Sequence, residues 1–145
     1  MKKIVITSGY FNPVHIGHIQ MLKAAKKLGD YLVVIVNNDK QQMLKKGKII
    51  MDENERIEIV KAIRFTDEVI FSIDQDGSQC KTLEMLAKKF PGDKLIFANG
   101  GDRDSEKAIP ETEICKANNI EMIFGVGGND KPNSSSNINK ILGRE

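Results

Sequence analysis

The sequence predicts an α/β protein built on one parallel, five-stranded sheet. Three observations support this prediction: short β-branched and aliphatic runs recur along the 145 residues, segments of helical apolar spacing separate them, and glycine, proline or polar clusters mark the junctions. Strands that alternate with helices favour right-handed βαβ crossovers, which produce a parallel sheet. We therefore predict a single, doubly wound, Rossmann-like domain over residues 1–145.

The first strand, helix and second strand are predicted within residues 3–37. KIVITS, at 3–8, is a β-branched run that ends at Gly9. HIQMLKAAKKLG, at 18–29, has apolar residues three or four apart, which predicts a helix. YLVVIVN, at 31–37, is a continuous apolar run, typical of a strand that is covered on both faces.

The middle of the chain predicts a loop, a helix and a third strand. The polar, lysine-rich stretch NDKQQMLKKGK, at 38–48, is predicted to be a loop. The helix predicted at 52–63 has a start similar to a capping box, because Asp52 is followed three residues later by Glu55. DEVIFSI, at 67–73, is predicted to be the third strand.

The rest of the chain continues the alternation. A helix is predicted that stops before the Pro-Gly pair at 91–92, and it is followed by a strand, a helix, a strand and a capped terminal helix. These elements are predicted at 80–90, 94–99, 110–119, 120–126 and 133–145.

Composition excludes several classes of function. The net charge of +2 gives no electrostatic footprint for nucleic acid or an anionic membrane. No apolar run is long enough to span a bilayer, and the N-terminus lacks the pattern of a signal peptide. Cys80 and Cys115 are too few and too far apart for a metal knuckle or a disulfide framework. We therefore predict a cytoplasmic protein with two reduced thiols and with no nucleic-acid partner, no membrane partner and no metal held by the protein.

The loops that follow the strands are the candidate ligand sites, because open parallel sheets bind ligands beyond the carboxyl ends of their strands. Four of the five loops carry groups suited to phosphate: glycines, lysines, an arginine and helix starts headed by polar residues. The remaining loop, DQDGSQ, offers only acids and a turn. A polyphosphate site is therefore predicted. The candidate loop residues are Gly9, Tyr10, Phe11, Asn12, Lys45, Lys46, Gly101, Asp102, Arg103, Ser134, Ser135 and Ser136.

The two histidines of the chain, His15 and His18, stand three residues apart just after the first strand. If His15 precedes the helix and His18 lies in its first turn, both rings project to one side of the helix start. There they can donate hydrogen bonds to phosphate oxygens and stabilise charge that develops during a reaction. A zinc site is less consistent, because no further His or Cys supplies a third ligand. The P-loop and G-x-G-x-x-G patterns are absent.

The ordered motifs resemble those of the nucleotidyltransferases that share the H-x-G-H signature. GYFNPVHIGH, with the helix and LGDYLVVIVNND that follow it, is similar to glycerol-3-phosphate cytidylyltransferases and heptose 1-phosphate adenylyltransferases. KKGKIIMDENERIEIVKAIRFTDEVIF, ANGGDR and SSSNI are similar to their later motifs, in the same order. The resemblance covers nearly the whole chain. It implies transfer of a nucleotidyl group from a nucleoside triphosphate to a phosphorylated small molecule, with release of pyrophosphate.

The resemblance also implies roles for the residues after the first strand. His15 and His18 would bind the triphosphate and stabilise the transition state, while the backbone of Gly9, Tyr10 and Phe11 would hold phosphates. Magnesium would be carried on the triphosphate with few protein ligands, as that ion prefers. A homodimer is expected.

Roles are implied for the later motifs as well. Lys45 or Lys46 would contact the phosphate of the acceptor, and Arg56 and Asp102 would help to organise the substrates. The serines at 134–136 would close over the phosphates of the nucleotide.

Two departures from the family pattern leave the base and the acceptor open. Asn12 stands where the cytidylyltransferases have aspartate, and Asn129 stands where the closing motif has arginine, with Lys131 as the candidate substitute. CTP is favoured from the overall resemblance to the short cytidylyltransferases, and ATP is the alternative. Transfer of an adenylyl group to a sugar phosphate and a nucleotide-binding module without catalysis both stay open.

Overall fold

The computed structural model describes residues 2–11, 14–47, 51–100 and 110–126, without the side chains of Lys45 and Lys46. In this part of the chain, five parallel strands form one sheet in the order β3-β2-β1-β4-β5. The predicted doubly wound α/β fold is thereby confirmed. The strands are β1 (Lys3–Gly9), β2 (Tyr31–Val36), β3 (Glu68–Phe71), β4 (Lys94–Gly100) and β5 (Ile120–Val126).

Helices connect the strands. The helices predicted at 18–29, 52–63, 80–90 and 110–119 are confirmed with shorter or shifted bounds, and the terminal helix predicted at 133–145 lies outside the described residues. Among the described residues, no helix has the length and apolar character needed to cross a membrane. The observed helices are α1 (Ile16–Lys26), α2 (Asp39–Lys46), α3 (Glu53–Lys61), α4 (Cys80–Lys89) and α5 (Thr112–Ala117).

The prediction of a loop at 38–48 is wrong, because most of that stretch forms α2. Asn38 Oδ1 accepts the backbone N–H of Gln41 at 2.9 Å, and Gln41 Oε1 accepts the backbone N–H of Asn38 at 3.1 Å. Gly47 ends the helix in the left-handed region, at φ 71°, and donates its N–H to the carbonyl of Met43. Caps at both ends therefore stabilise a helix that lacks a clear apolar stripe, and the lysines at 45 and 46 belong to its last turn.

Two apolar cores cover the two faces of the sheet. Val34 and Val36 pack with α1 and α3 on one face, whereas Val33 and Ile35 pack with α4 and α5 on the other. Alternate residues of β2 thus enter opposite cores, so that the whole strand is apolar. This burial on both faces is the physical reason for the continuous run at 31–36.

The winding of the sheet reverses at β1. From β1 the chain moves through β2 to the edge strand β3, then returns to the other side of β1 to form β4 and β5. The helices α1 and α5, which come after β1 and β4 in the chain, pack on opposite faces of the sheet. This point of the fold is where a ligand is expected.

Candidate functional site

The start of α1, at the carboxyl end of β1, is built from the two histidines. His15 is the N-cap, and its Nδ1 accepts the backbone N–H of Gly17 at 3.0 Å. His18, in the first turn, reaches back so that its Nδ1 accepts the backbone N–H of His15 at 3.2 Å. The two side chains therefore form a reciprocal cap, and the structure places them as the sequence predicted.

This reciprocal cap fixes the tautomer of both imidazoles. A ring nitrogen that accepts a hydrogen bond carries no proton, so each neutral ring holds its proton on Nε2. The ring centroids of His15 and His18 lie 4.0 Å apart, at an interplanar angle of 35°. Two half-buried N–H donors thus stand side by side at the helix start, where the backbone dipole also favours an anion.

Phe11 packs against His18. Its side chain is fully buried, and its ring centroid lies 4.8 Å from that of His18. Its backbone adopts φ 52°, a left-handed conformation that is strained for a bulky residue. The ring also packs on Gly9, where an added Cβ would lie 2.8 Å from Phe11 Cζ. Gly9 is therefore required for the close approach of the phenyl ring.

The side chain of Arg56, on α3, forms hydrogen bonds with the loops around the site. This side chain is fully buried. Its Nε donates to the carbonyl of Met51 at 2.9 Å, its Nη1 to the carbonyls of Tyr10 at 2.8 Å and Asn37 at 2.6 Å, and its Nη2 to the carboxylate of Asp39 at 2.7 Å. Arg56 thus holds the loop before α1 and the start of α2 at a fixed separation.

The loop between β3 and α4 is attached to α2. Asn38 Nδ2 donates to the carbonyls of Ser72 and Asp74 at 3.0 and 2.9 Å, and Gln41 Nε2 donates to the carbonyls at 76 and 78 at 2.8 and 3.0 Å. The sequence predicted only acids and a turn in this loop. The structure instead shows that α2 and residues 72–78 form one hydrogen-bonded unit at the carboxyl edge of the sheet.

The acids of this loop stabilise local structure. Asp74 is 2% exposed and accepts the N–H groups of Lys81 and Thr82, each at 2.9 Å, at the start of α4. Asp76 accepts the hydroxyl and the backbone N–H of Ser78, and these two bonds lower the pKa of its carboxyl. The carboxylate of Asp76 therefore stabilises the turn, and that of Asp74 stabilises the start of α4.

The described residues contain no candidate metal site, and the remaining residues predicted for the site lie outside the part of the chain that the structure describes. Within the part of the chain that the structure describes, no group of three or more His, Cys, Asp or Glu side chains could hold a metal ion. Burial raises the pKa of Cys115 to about 12, so that thiol is protonated near neutral pH. The predicted residues outside the described ones are Asn12, Gly101, Asp102, Arg103, Ser134, Ser135 and Ser136, together with the side chains of Lys45 and Lys46.

Sequence comparison relates this chain to characterised proteins. The cytidylyltransferase-like family model matches residues 6–138. An FAD synthase of Thermococcus sibiricus is 39% identical over 125 residues, which cover 84% of this chain and 80% of that protein. A bifunctional protein HldE of Citrifermentans bemidjiense is 33% identical over 144 residues, which cover 97% of this chain and 27% of that protein. The chain thus spans most of the first relative and about a quarter of the second.

Solved structures share the fold. A lipopolysaccharide core biosynthesis protein from Thermoplasma volcanium superimposes with a TM-score of 0.71 at 31% identity, over 90% of this chain and all of that one. A putative nicotinate-nucleotide adenylyltransferase from Vibrio parahaemolyticus gives a TM-score of 0.68 at 19% identity, over 100% of this chain and 90% of that one. The second likeness is one of fold alone.

Proposed function

The chain belongs to the cytidylyltransferase-like family of nucleotidyltransferases, and on this premise we propose that it transfers an adenylyl group from ATP to a phosphorylated small molecule. The observation that carries the proposal is the histidine pair at the start of α1, which presents two N–H donors at the switch point of the sheet. Donors held in advance where charge develops are the main requirement of such a transfer.

The choice of ATP follows from the relatives. FAD consists of FMN joined to an adenylyl group, so the FAD synthase relative points to ATP as the donor and FMN as one acceptor class. The HldE relative points to a sugar phosphate as a second acceptor class. The CTP preference from the sequence receives no support from these relatives.

The proposed reaction is an in-line displacement at the α-phosphorus. An oxygen of the acceptor phosphate forms a bond to that phosphorus, the bond to the bridging oxygen of the β-phosphate breaks, and pyrophosphate leaves with the electron pair. The acceptor oxygen is already anionic, so no general base is needed. The Nε2–H groups of His15 and His18 would donate to the phosphate oxygens as their negative charge redistributes.

Magnesium fits this site as an ion carried by the nucleotide. It prefers phosphate oxygens and water to a cage of protein ligands, and the described residues offer no such cage. When bound, it would neutralise the charge of the triphosphate. The protein's own contribution would be to position the loops through Arg56, with the lysines of α2, Arg103 and the serines at 134–136 proposed to contact phosphates.

A matrix of pyrophosphate-release assays tests the proposal. ATP and CTP are each paired, in magnesium, with FMN and with sugar 1-phosphates. We expect turnover with ATP and one acceptor class. Turnover with CTP alone would overturn the adenylyl assignment, and tight binding of a nucleotide without turnover on any acceptor would favour a binding module.

A further inference from the structure

Phe11 combines three features that are unusual together. Its side chain is fully buried, in the core that also contains Leu22 and Ala25 of α1. Its backbone nevertheless adopts φ 52°, in the left-handed region that a bulky residue rarely occupies. Its ring centroid lies 4.8 Å from that of His18, at an interplanar angle of 53°. The phenyl ring therefore joins the core under α1 to one of the two imidazoles of the candidate site.

The backbone conformation of Phe11 is unfavourable by itself. A glycine at this position would adopt φ 52° without steric strain, because it has no Cβ. Strained residues of this kind persist where the surrounding structure fixes them, and they cluster at functional sites. What the position gains from phenylalanine is the ring, which packs against both Gly9 and His18.

Gly9 provides the space for the far end of this ring. A Cβ added at Gly9 would lie 2.8 Å from Cζ and 2.9 Å from Cε2 of Phe11, so the ring or the strand would have to move. Gly9 is the last residue of β1 and pairs with Val36 of β2. The phenyl ring is thus packed directly against the backbone of the sheet.

The peptide that precedes Phe11 is also fixed. The carbonyl of Tyr10 accepts a hydrogen bond from Nη1 of the buried Arg56 at 2.8 Å. Since the peptide unit is planar, this bond also orients the backbone nitrogen of Phe11. Phe11 is therefore held at its ring by β1 and at its backbone by α3.

We propose that Phe11 is a positioning residue for the nucleotidyl transfer, which holds the imidazole of His18 at the angle that directs its Nε2–H to the phosphate oxygens. This inference rests on the proposed function. Nδ1 of His18 accepts the N–H of His15 at 3.2 Å. One hydrogen bond fixes the place of Nδ1 but not the direction in which Nε2 points. Contact with the rings of Phe11 and His15 fixes that direction.

The variant Phe11→Leu tests the inference, because leucine stays apolar but has no ring to contact His18. With ATP and the acceptor that the wild type uses, we expect kcat to fall about tenfold or more, since a small misplacement of a catalytic group is costly. KM for ATP should stay within about threefold. In a His18→Ala background, Phe11→Leu should lower kcat by less than about twofold, because a residue that acts through His18 has nothing left to position.

Hydrogen exchange gives a readout that does not depend on turnover. The backbone N–H of His15 is bonded to Nδ1 of His18, so its protection reports how firmly that imidazole is held. We expect this N–H to exchange about fivefold faster, or more, in Phe11→Leu. The N–H of Gly17, which is bonded to Nδ1 of His15, should change less.

Gly9→Ala is a second variant, which keeps the phenyl group and displaces it. The new methyl meets Cζ and Cε2 of Phe11, so kcat should fall and the N–H of His15 should exchange faster, as in Phe11→Leu. The effect on kcat should be smaller when position 11 is leucine, which lacks both of those ring atoms. Equal effects in the two backgrounds would overturn the inference, because Gly9 would then act independently of the ring.

Phe97→Leu is the matched control, because Phe97 is equally buried in the core on the other face of the sheet. Its melting temperature should fall about as much as that of Phe11→Leu, with kcat and the exchange at His15 unchanged. An equal fall of kcat in Phe97→Leu, unchanged exchange at His15 in Phe11→Leu, or a full effect of Phe11→Leu in the His18→Ala background would each overturn the inference. Absence of wild-type turnover would overturn the proposed function together with it, whereas wild-type turnover with an unchanged kcat in Phe11→Leu contradicts the role of Phe11 alone.

Discussion

The starts of α1 and α2 have the same construction and different surroundings. In both, the N-cap side chain accepts a backbone N–H of the first turn, and the third helical residue reaches back to the N-cap N–H. In α1 the two side chains are the imidazoles of His15 and His18, and in α2 they are the amides of Asn38 and Gln41. Each cap follows the carboxyl end of a parallel strand.

The difference lies in where the second polar atom of each capping side chain points. The amide nitrogens of Asn38 and Gln41 donate to four carbonyls of the loop at 72–78, so that cap also holds the loop. The imidazoles of His15 and His18 carry their second nitrogen as an Nε2–H donor on half-buried rings at the switch point. In α2 the second polar atoms bind the loop, whereas in α1 they are the donors that the proposed function assigns to phosphate oxygens.

The largest effect is expected when α1 receives the capping residue types of α2. In the double variant His15→Asn, His18→Gln, both new side chains can accept the same backbone N–H groups, since these residues rank among the best at the N-cap and at the third position. The Nε2–H donors are lost. We expect turnover to fall by about a thousandfold or more. The free energy of unfolding, measured in urea, should change by no more than about 0.5 kcal/mol.

The double variant His15→Ala, His18→Ala is the control for this experiment, because it removes the cap of α1 as well as the donors. It should lose the same turnover and about a further 1 kcal/mol of stability. Turnover close to wild type in the Asn-Gln variant would show that the imidazoles serve only to cap α1.

Arg56 links the two regions, and its loss should have the next largest effect. In Arg56→Met, the carboxylate of Asp39 and the carbonyls of Tyr10 and Asn37 lose their donor. We expect the free energy of unfolding to fall by about 3 kcal/mol, because buried carbonyls lose a donor and the half-buried carboxylate of Asp39 loses its partner. Chemical denaturation measures this loss. Arg56→Lys should recover only part of it, because an ammonium cannot reproduce the planar fork.

The cap of α2 can be tested without touching α1. Asn38→Ala removes the cap and the two bonds to the carbonyls of Ser72 and Asp74, which should lower the free energy of unfolding by about 2 kcal/mol. Asn38→Ser keeps a capping oxygen but cannot reach the loop, and should lose about half as much. Equal losses in the two variants would mean that the loop bonds contribute nothing measurable.

The smallest effect is expected at the other end of α1, where Lys26 in its last turn pairs with Asp67. Burial raises the pKa of that carboxyl, but hydrogen bonds from Lys26 and from the N–H of Leu32 outweigh it, so the pKa lies below its ordinary 3.8. The contribution of this pair to the free energy of unfolding is therefore fully present above pH 3.8, and it is lost as the pH falls through the lower pKa of the folded state.

Asp67→Asn should accordingly cost no more than about 1 kcal/mol at neutral pH, since the pair is partly exposed. Its deficit in urea unfolding should shrink as the pH falls below 3.8. Glu58→Gln, in an exposed pair with Lys61 at 3.9 Å, is the control and should change little at any pH. A deficit of Asp67→Asn that grows in acid would contradict the direction of the pKa shift.

The strands could be predicted from the sequence because burial on both faces leaves a continuous aliphatic run, as at 31–36. Helix α2 could not be predicted by the same rule, since it has no clear apolar stripe. A signal was nevertheless present, because Asn38 and Gln41 have the spacing of a capping box and Gly47 stands where a left-handed residue ends a helix.

The site divides in the same way between local and tertiary causes. The placement of His15 and His18 follows from spacing within one turn, so the sequence predicted it. The burial of Arg56 depends on loops from elsewhere in the chain, and nothing in ENERIEI distinguishes a buried arginine from a surface one. The bonds from Gln41 to the loop at 72–78 are likewise visible only once that loop has its position.

The phenyl ring beneath His18 also makes the site visible to spectroscopy. The chain has two histidines, so an NMR spectrum of the imidazole groups holds two sets of signals. The ring current of Phe11, with its centroid 4.8 Å from that of His18, displaces one set and helps to identify it. The shifts of the two nitrogens of each ring report directly which one carries the proton. The protein thus contains an intrinsic probe, with which the arrival of a phosphate at the helix start can be followed without an attached label.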